Sequence, residues 1–161
     1  MSNSIFTKID DAFNVCDNYL SQMIDIDTNE LQVFLTRSLT ILIVSEYEEY
    51  LEKLFNDRAK SCGDICVANY IQKMLHQKFR SPDLSKINEI LKNFHAKYFD
   101  KFSENYTNTP AHQSWDSLLK ARHSIVHKKG ELQITYTELK MIYQDTQSIL
   151  DGIKEVLETS L

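Results

Sequence analysis

"SLLKARHSIVHKKGEL", Ser117 to Leu132, is the stretch from which the rest of the chain is best read. Together with Trp115 just before it, the apolar residues Leu118, Leu119, Ile125 and Val126 recur at three- and four-residue spacing, the period of a helix that buries one face. On a wheel of about 100° per residue, all five fall within about 60° of Arg122. An arginine therefore stands in the middle of an apolar stripe. Its guanidinium keeps its proton at any accessible pH, so burying it without a partner is prohibitive. It must meet a carboxylate, a carbonyl or a ligand anion, which leaves two readings: a structural ion pair or a phosphate binder.

The ends of this helix are marked chemically. Thr109 and Pro110 have the character of an N-cap and a first helical residue, and Gly130 is a C-terminal stop. Helical periodicity continues on both sides. It predicts a first helix over "IFTKIDDAFNVCDNYLSQMI" and a second from Leu31 to about Phe55, opened by a capping box of Asp27 and Glu30. A shorter helix is predicted over "DICVANYIQKML" and another over "LSKINEILKNFHAKYFDKF", with "RSPD" as the break between them. Thr135 with Glu138 opens a last amphipathic helix as a second capping box. With 3 glycines and 2 prolines the chain has few turns to offer. The expectation is an all-α bundle of five to six helices, with residues 1–161 forming a single domain.

Composition narrows the function classes. A net charge of -5 argues against binding nucleic acid or anionic membrane through the average field, so such a contact needs a local patch. The longest apolar run, "LTILIV", is too short to cross a bilayer, and "MSNSIFTKIDDAF" lacks the pattern of a signal peptide; a cytoplasmic protein without membrane contact is expected. Cys16, Cys62 and Cys66 are an odd set that suits reduced thiols, and Cys62 and Cys66 are read as half-buried residues at a helix start. "CGDIC" provides two thiolates with no second ligand pair, and His123 is followed by Ser124 rather than the glutamate of a zinc protease. Neither a metal nor another cofactor is expected.

Lys120, Arg122, His123, His127, Lys128 and Lys129 form the one dense basic cluster of the sequence. His123 and His127 are four residues apart and share a flank of the helix. A second anomaly lies earlier. Glu48 falls within about 60° of Phe34, Arg37, Ile41, Val44, Leu51 and Phe55, so it too interrupts an apolar stripe and needs a partner. Arg37 and solvent are the candidates that the stripe itself offers.

Arg122-His123-Ser124-Ile125-Val126-His127 resembles the R-x4-H signature of the HEPN superfamily, including its polar residue after the arginine. "SEYEEYLEKLF" and "SPDLSKINEILKNF" are similar to the corresponding segments of bacterial MAE-type and RiboL-PSP-HEPN nucleases, and the resemblance spans roughly residues 5 to 158. It implies a HEPN-like helical bundle and a metal-independent endoribonuclease, built as a homodimer whose facing motifs make one composite site for single-stranded RNA. In that scheme Arg122 stabilises the phosphate and His127 is the general acid or base. His123 and Ser124 support them, Glu48 directs the arginine, and Lys120, Lys128 and Lys129 bind RNA.

Such a protein would act as a toxin or anti-phage effector on RNA, tRNA among the candidates, restrained by an antitoxin or regulatory partner. The alternative is a non-catalytic HEPN module that binds a partner in a defence or toxin–antitoxin system. Tyr106, Trp115 and Tyr136 are the aromatics considered for stacking a base, with Trp115 also suited to the core.

Overall fold

Long periodic segments with few glycines and prolines fold here into helices and connecting turns, as a computed structural model of residues 5–23, 27–76, 78–127 and 132–159 shows. Seven helices are present among them: α1 Ile5–Ser21, α2 Asn29–Lys60, α3 Ile65–His76, α4 Leu84–Phe94, α5 Ala96–Tyr106, α6 Pro110–Val126 and α7 Tyr136–Glu158. The fold is all-α. No helix among the described residues is long and apolar enough to cross a membrane.

The count exceeds five to six because the helix expected over "LSKINEILKNFHAKYFDKF" is two. His95 breaks it with extended backbone (φ -168°, ψ 138°), and its ring Nδ1 accepts from the Lys97 N–H to start α5. The break lets α4 pack against α6 while α5 packs against α7, which one straight helix could not do. Where α5 meets α7 the backbones come close, and a Cβ at Gly152 would overlap the hydroxyl-bearing edge of the Tyr106 ring.

Several predicted ends hold. Thr109 caps α6 by accepting from the His112 N–H, and Thr135 and Glu138 form the full capping box of α7. The box expected at α2 does not form. Thr28 is the N-cap residue there, and the Asp27 carboxylate accepts from the Asn29 N–H instead. α2 also runs beyond Phe55 to Lys60. Gly130 lies outside the described residues, and α6 ends at Val126 with His127 as its C-cap. Cys62 and Cys66 are exposed rather than half-buried, because the turn before α3 is held by Asp64, whose carboxylate accepts from the Cys66 and Val67 N–H groups.

One apolar core draws on α1, α2, α4, α5, α6 and α7, with Leu75 reaching it from α3. Tyr47 on α2 stacks on Trp115 of α6 at 5.5 Å, and its hydroxyl shares a hydrogen bond with Thr146 of α7 at 2.9 Å. This buried contact ties three helices together behind the motif. α1 is tied to α7 by Tyr143 and Tyr136, which donate to Asp10 and Asp17 at 2.8 and 2.9 Å. Burial, reinforced by those carboxylates, pushes both phenols well above the usual tyrosine range.

Candidate functional site

Burial on α6 follows Trp115, Leu118 and Ala121, then thins in the last turns: Arg122 and Ile125 are half-buried, and Val126 is exposed. Arg122 therefore sits where the core opens to solvent rather than within it. It lines an open pocket of about 560 Å³ together with Ser81, Asp83, Asp116, Leu119, Lys120, His123, Ser124 and Gln133. Among the described residues, no carboxylate lies within ion-pair distance of its guanidinium. Of the two readings of the sequence, the structural ion pair is absent among the described residues.

The far wall of the pocket is the turn between α3 and α4, which the sequence marked only as a break. Ser81 adopts left-handed backbone (φ 46°), a conformation costing about 1 kcal/mol for a residue with a Cβ. Three neighbours hold it. Glu48 on α2 accepts from the Ser81 backbone N–H at 2.5 Å and from its hydroxyl at 3.3 Å. The Trp115 indole N–H donates to the Pro82 carbonyl at 3.1 Å. Phe79 is buried against Phe55, with ring centroids 5.2 Å apart. Asp83 then caps α4, accepting from the Lys86 N–H at 2.8 Å.

This corrects the expectation for Glu48. Its partner is Ser81, not Arg122 or Arg37, because the turn brings a backbone donor to the half-buried carboxylate from 33 residues away. Glu48 thus acts on the Arg122 pocket through its opposite wall. The aromatic candidates divide: Trp115 holds to its core reading, while Tyr136 is corrected as a platform for a base. Trp115 is 1% exposed and belongs to the core, Tyr136 is buried with its hydroxyl on Asp17, and Tyr106 is half-buried and stacked on Phe102.

Of the remaining candidates, Lys120 and His123 are exposed and Ser124 is half-buried, and all three line the pocket. His127 is exposed at the end of α6, with its ring 4.3 Å from that of His123 and tilted against it. It does not line the pocket. Lys128 and Lys129 lie outside the described residues. Ser81, Asp83, Asp116 and Gln133 are pocket residues that the sequence reading passed over; the available signal was an N-cap aspartate after Ser-Pro, directly before "LSKI".

No curated protein and no solved structure matches the chain. A family model does: RiboL-PSP-HEPN, over residues 5–159. An all-helical fold, an arginine without a carboxylate partner among the described residues at the mouth of a pocket, and an R-x4-H motif at its penultimate helix thus meet a match along nearly the whole sequence, and the chain belongs to the RiboL-PSP-HEPN family of the HEPN superfamily.

Proposed function

We propose that the protein is a metal-independent endoribonuclease with Arg122 and His127 as its catalytic pair. HEPN domains serve as ribonucleases or as nucleotide-binding modules, and a guanidinium without a carboxylate partner among the described residues, accompanied by His127 as a group able to move protons, favours the first role. A half-buried cation left without a carboxylate is poised for an anion from outside, and a phosphodiester is such an anion.

RNA carries its own nucleophile. A base takes the proton of the 2′-hydroxyl as its oxygen attacks phosphorus, and an acid protonates the departing 5′-oxygen. The products are a 2′,3′-cyclic phosphate and a 5′-hydroxyl. Imidazole is suited to both proton transfers near neutral pH, and Arg122 stabilises the charge that builds on the phosphoryl oxygens. His123, whose ring is tilted against that of His127 at 4.3 Å, helps to set the attitude of that ring, while Ser124 and Lys120 shape the phosphate side of the pocket.

Arg122 and His127 are five residues apart, hence about 140° around the helix, and point in different directions within one protomer. A homodimer that brings the arginine of one chain to the histidine of the other resolves this. It would also cover exposed Val126 and leave two histidines for the two proton transfers. An RNA such as a tRNA loop, and restraint of a toxin or anti-phage effector by an antitoxin or regulatory protein, complete the reading. The deciding experiment is incubation of the purified protein with total bacterial RNA in excess chelator, beside Arg122→Ala and His127→Ala, with chemical typing of the ends. Cyclic-phosphate ends from the wild type alone are expected. No cleavage by folded, dimeric protein would overturn the reading in favour of a binding module.

A further inference from the structure

The acidic total conceals a segregation of charge. Residues 65–97 carry Lys73, Lys78, Arg80, Lys86, Lys92 and Lys97 against Asp83 and Glu89, a balance of 6 - 2 = +4, so the remainder of the chain carries -5 - 4 = -9. Both acids in this segment are engaged: Asp83 caps α4, and Glu89 accepts from Lys78 at 3.0 Å. The basic segment opens onto the Arg122 pocket, because Ser81 and Asp83 line it. Arg80, the residue before Ser81, is exposed and has no ion-pair partner among the described residues. The Lys86 Nζ lies 3.8 Å from the carboxylate of Asp83, which lines the same pocket.

This stretch is also firmly held. Buried Phe79 and clamped Ser81 fix the backbone on both sides of Arg80 while its side chain remains in solvent. A left-handed residue maintained in the wall of a pocket is the kind of local cost that marks a functional segment. Across the pocket, exposed Lys120 supplies a cation on the α6 side.

We infer that single-stranded RNA leaves the Arg122 pocket over the Arg80–Asp83 turn and the first turn of α4, where Arg80 and Lys86 hold phosphates flanking the one at Arg122. The inference rests on the ribonuclease reading and supplies the local basic surface that an acidic chain needs. Cations set on a fixed turn lose little freedom on binding, so their charge translates into affinity.

The test is fluorescence anisotropy of a labelled single-stranded 20-mer of 2′-O-methyl RNA, which lacks the nucleophile and cannot be cleaved, titrated with protein over a range of salt. Arg80→Ala and Lys86→Ala are each expected to weaken binding severalfold and to reduce the slope of log affinity against log salt by about 0.7, the contribution of one phosphate contact on a single strand. Lys154→Ala, an exposed lysine on α7, should bind as wild type. Wild-type affinity in Arg80→Ala and Lys86→Ala, with binding weakened by Arg122→Ala, would overturn the path and leave the catalytic reading intact; the basic segment would then suit an acidic protein partner. Absence of binding by wild-type protein, together with absence of cleavage, would overturn both.

Discussion

Removing the Glu48 carboxylate tests how the pocket is built. In Glu48→Ala the half-buried Ser81 N–H loses its acceptor, and leaving such a donor unmet costs about 1–3 kcal/mol. The turn can recover part of this by relaxing from its left-handed backbone, which sets the net loss at about 2 kcal/mol. For a chain of 161 residues that corresponds to a fall in Tm of about 4–8 °C. Glu48→Gln keeps an oxygen for the N–H but removes the charge that strengthens the bond about twofold, so it should lose about half as much. Thermal unfolding and the cleavage assay are read on the same samples: both variants should lose stability and, because the turn walls the Arg122 pocket, activity as well. A double-mutant cycle on stability then separates this arrangement from a direct pair. Glu48 and Arg122 share no bond, so their effects should add within about 0.5 kcal/mol. Coupling above about 1 kcal/mol, or a loss of activity in Glu48→Ala with unchanged stability, would refute the clamp and restore Glu48 as the partner of Arg122.

Arg122→Ala should change stability by less than about 1 kcal/mol, since no ion pair among the described residues is lost, while cleavage falls by about two to three orders of magnitude; a large loss measured by urea unfolding would contradict a guanidinium that has no carboxylate partner there. Gly152→Ala, ordinarily favourable inside a helix, should instead destabilise by about 1–3 kcal/mol, because the new methyl must displace the Tyr106 ring from its stack on Phe102; unchanged Tm would show that α5 and α7 are not so close. The capping box gives a pH dependence. Bonds from the Thr135 backbone and hydroxyl hold the Glu138 carboxyl below its ordinary value of 4.5, so its stabilisation is present above that value and disappears as pH falls through the lower folded-state value. Glu138→Gln should therefore differ from wild type in urea unfolding at pH 7 and converge with it at strongly acid pH; a difference that persists there would remove the carboxylate as its source.

Helix ends that depend on one or two adjacent side chains, Thr109 before Pro110 and Thr135 before Glu138, were legible because their chemistry is local. The break at His95 was not. "NFHAK" contains neither glycine nor proline, and the gain from bending is tertiary: Phe94 meets Phe55 while buried Tyr98 accepts from Arg58 on α2 at 2.8 Å. The site divides along the same line. A charged residue in an apolar stripe announces that compensation is needed, and both Arg122 and Glu48 announced it. What supplies the compensation depends on a contact distant in sequence, and the two residues differ there. Glu48 finds a backbone donor on the Ser81 turn, so its anomaly is resolved inside the protomer. Arg122 finds no carboxylate among the described residues, so its anomaly remains open at the mouth of the pocket, where an incoming phosphate would close it.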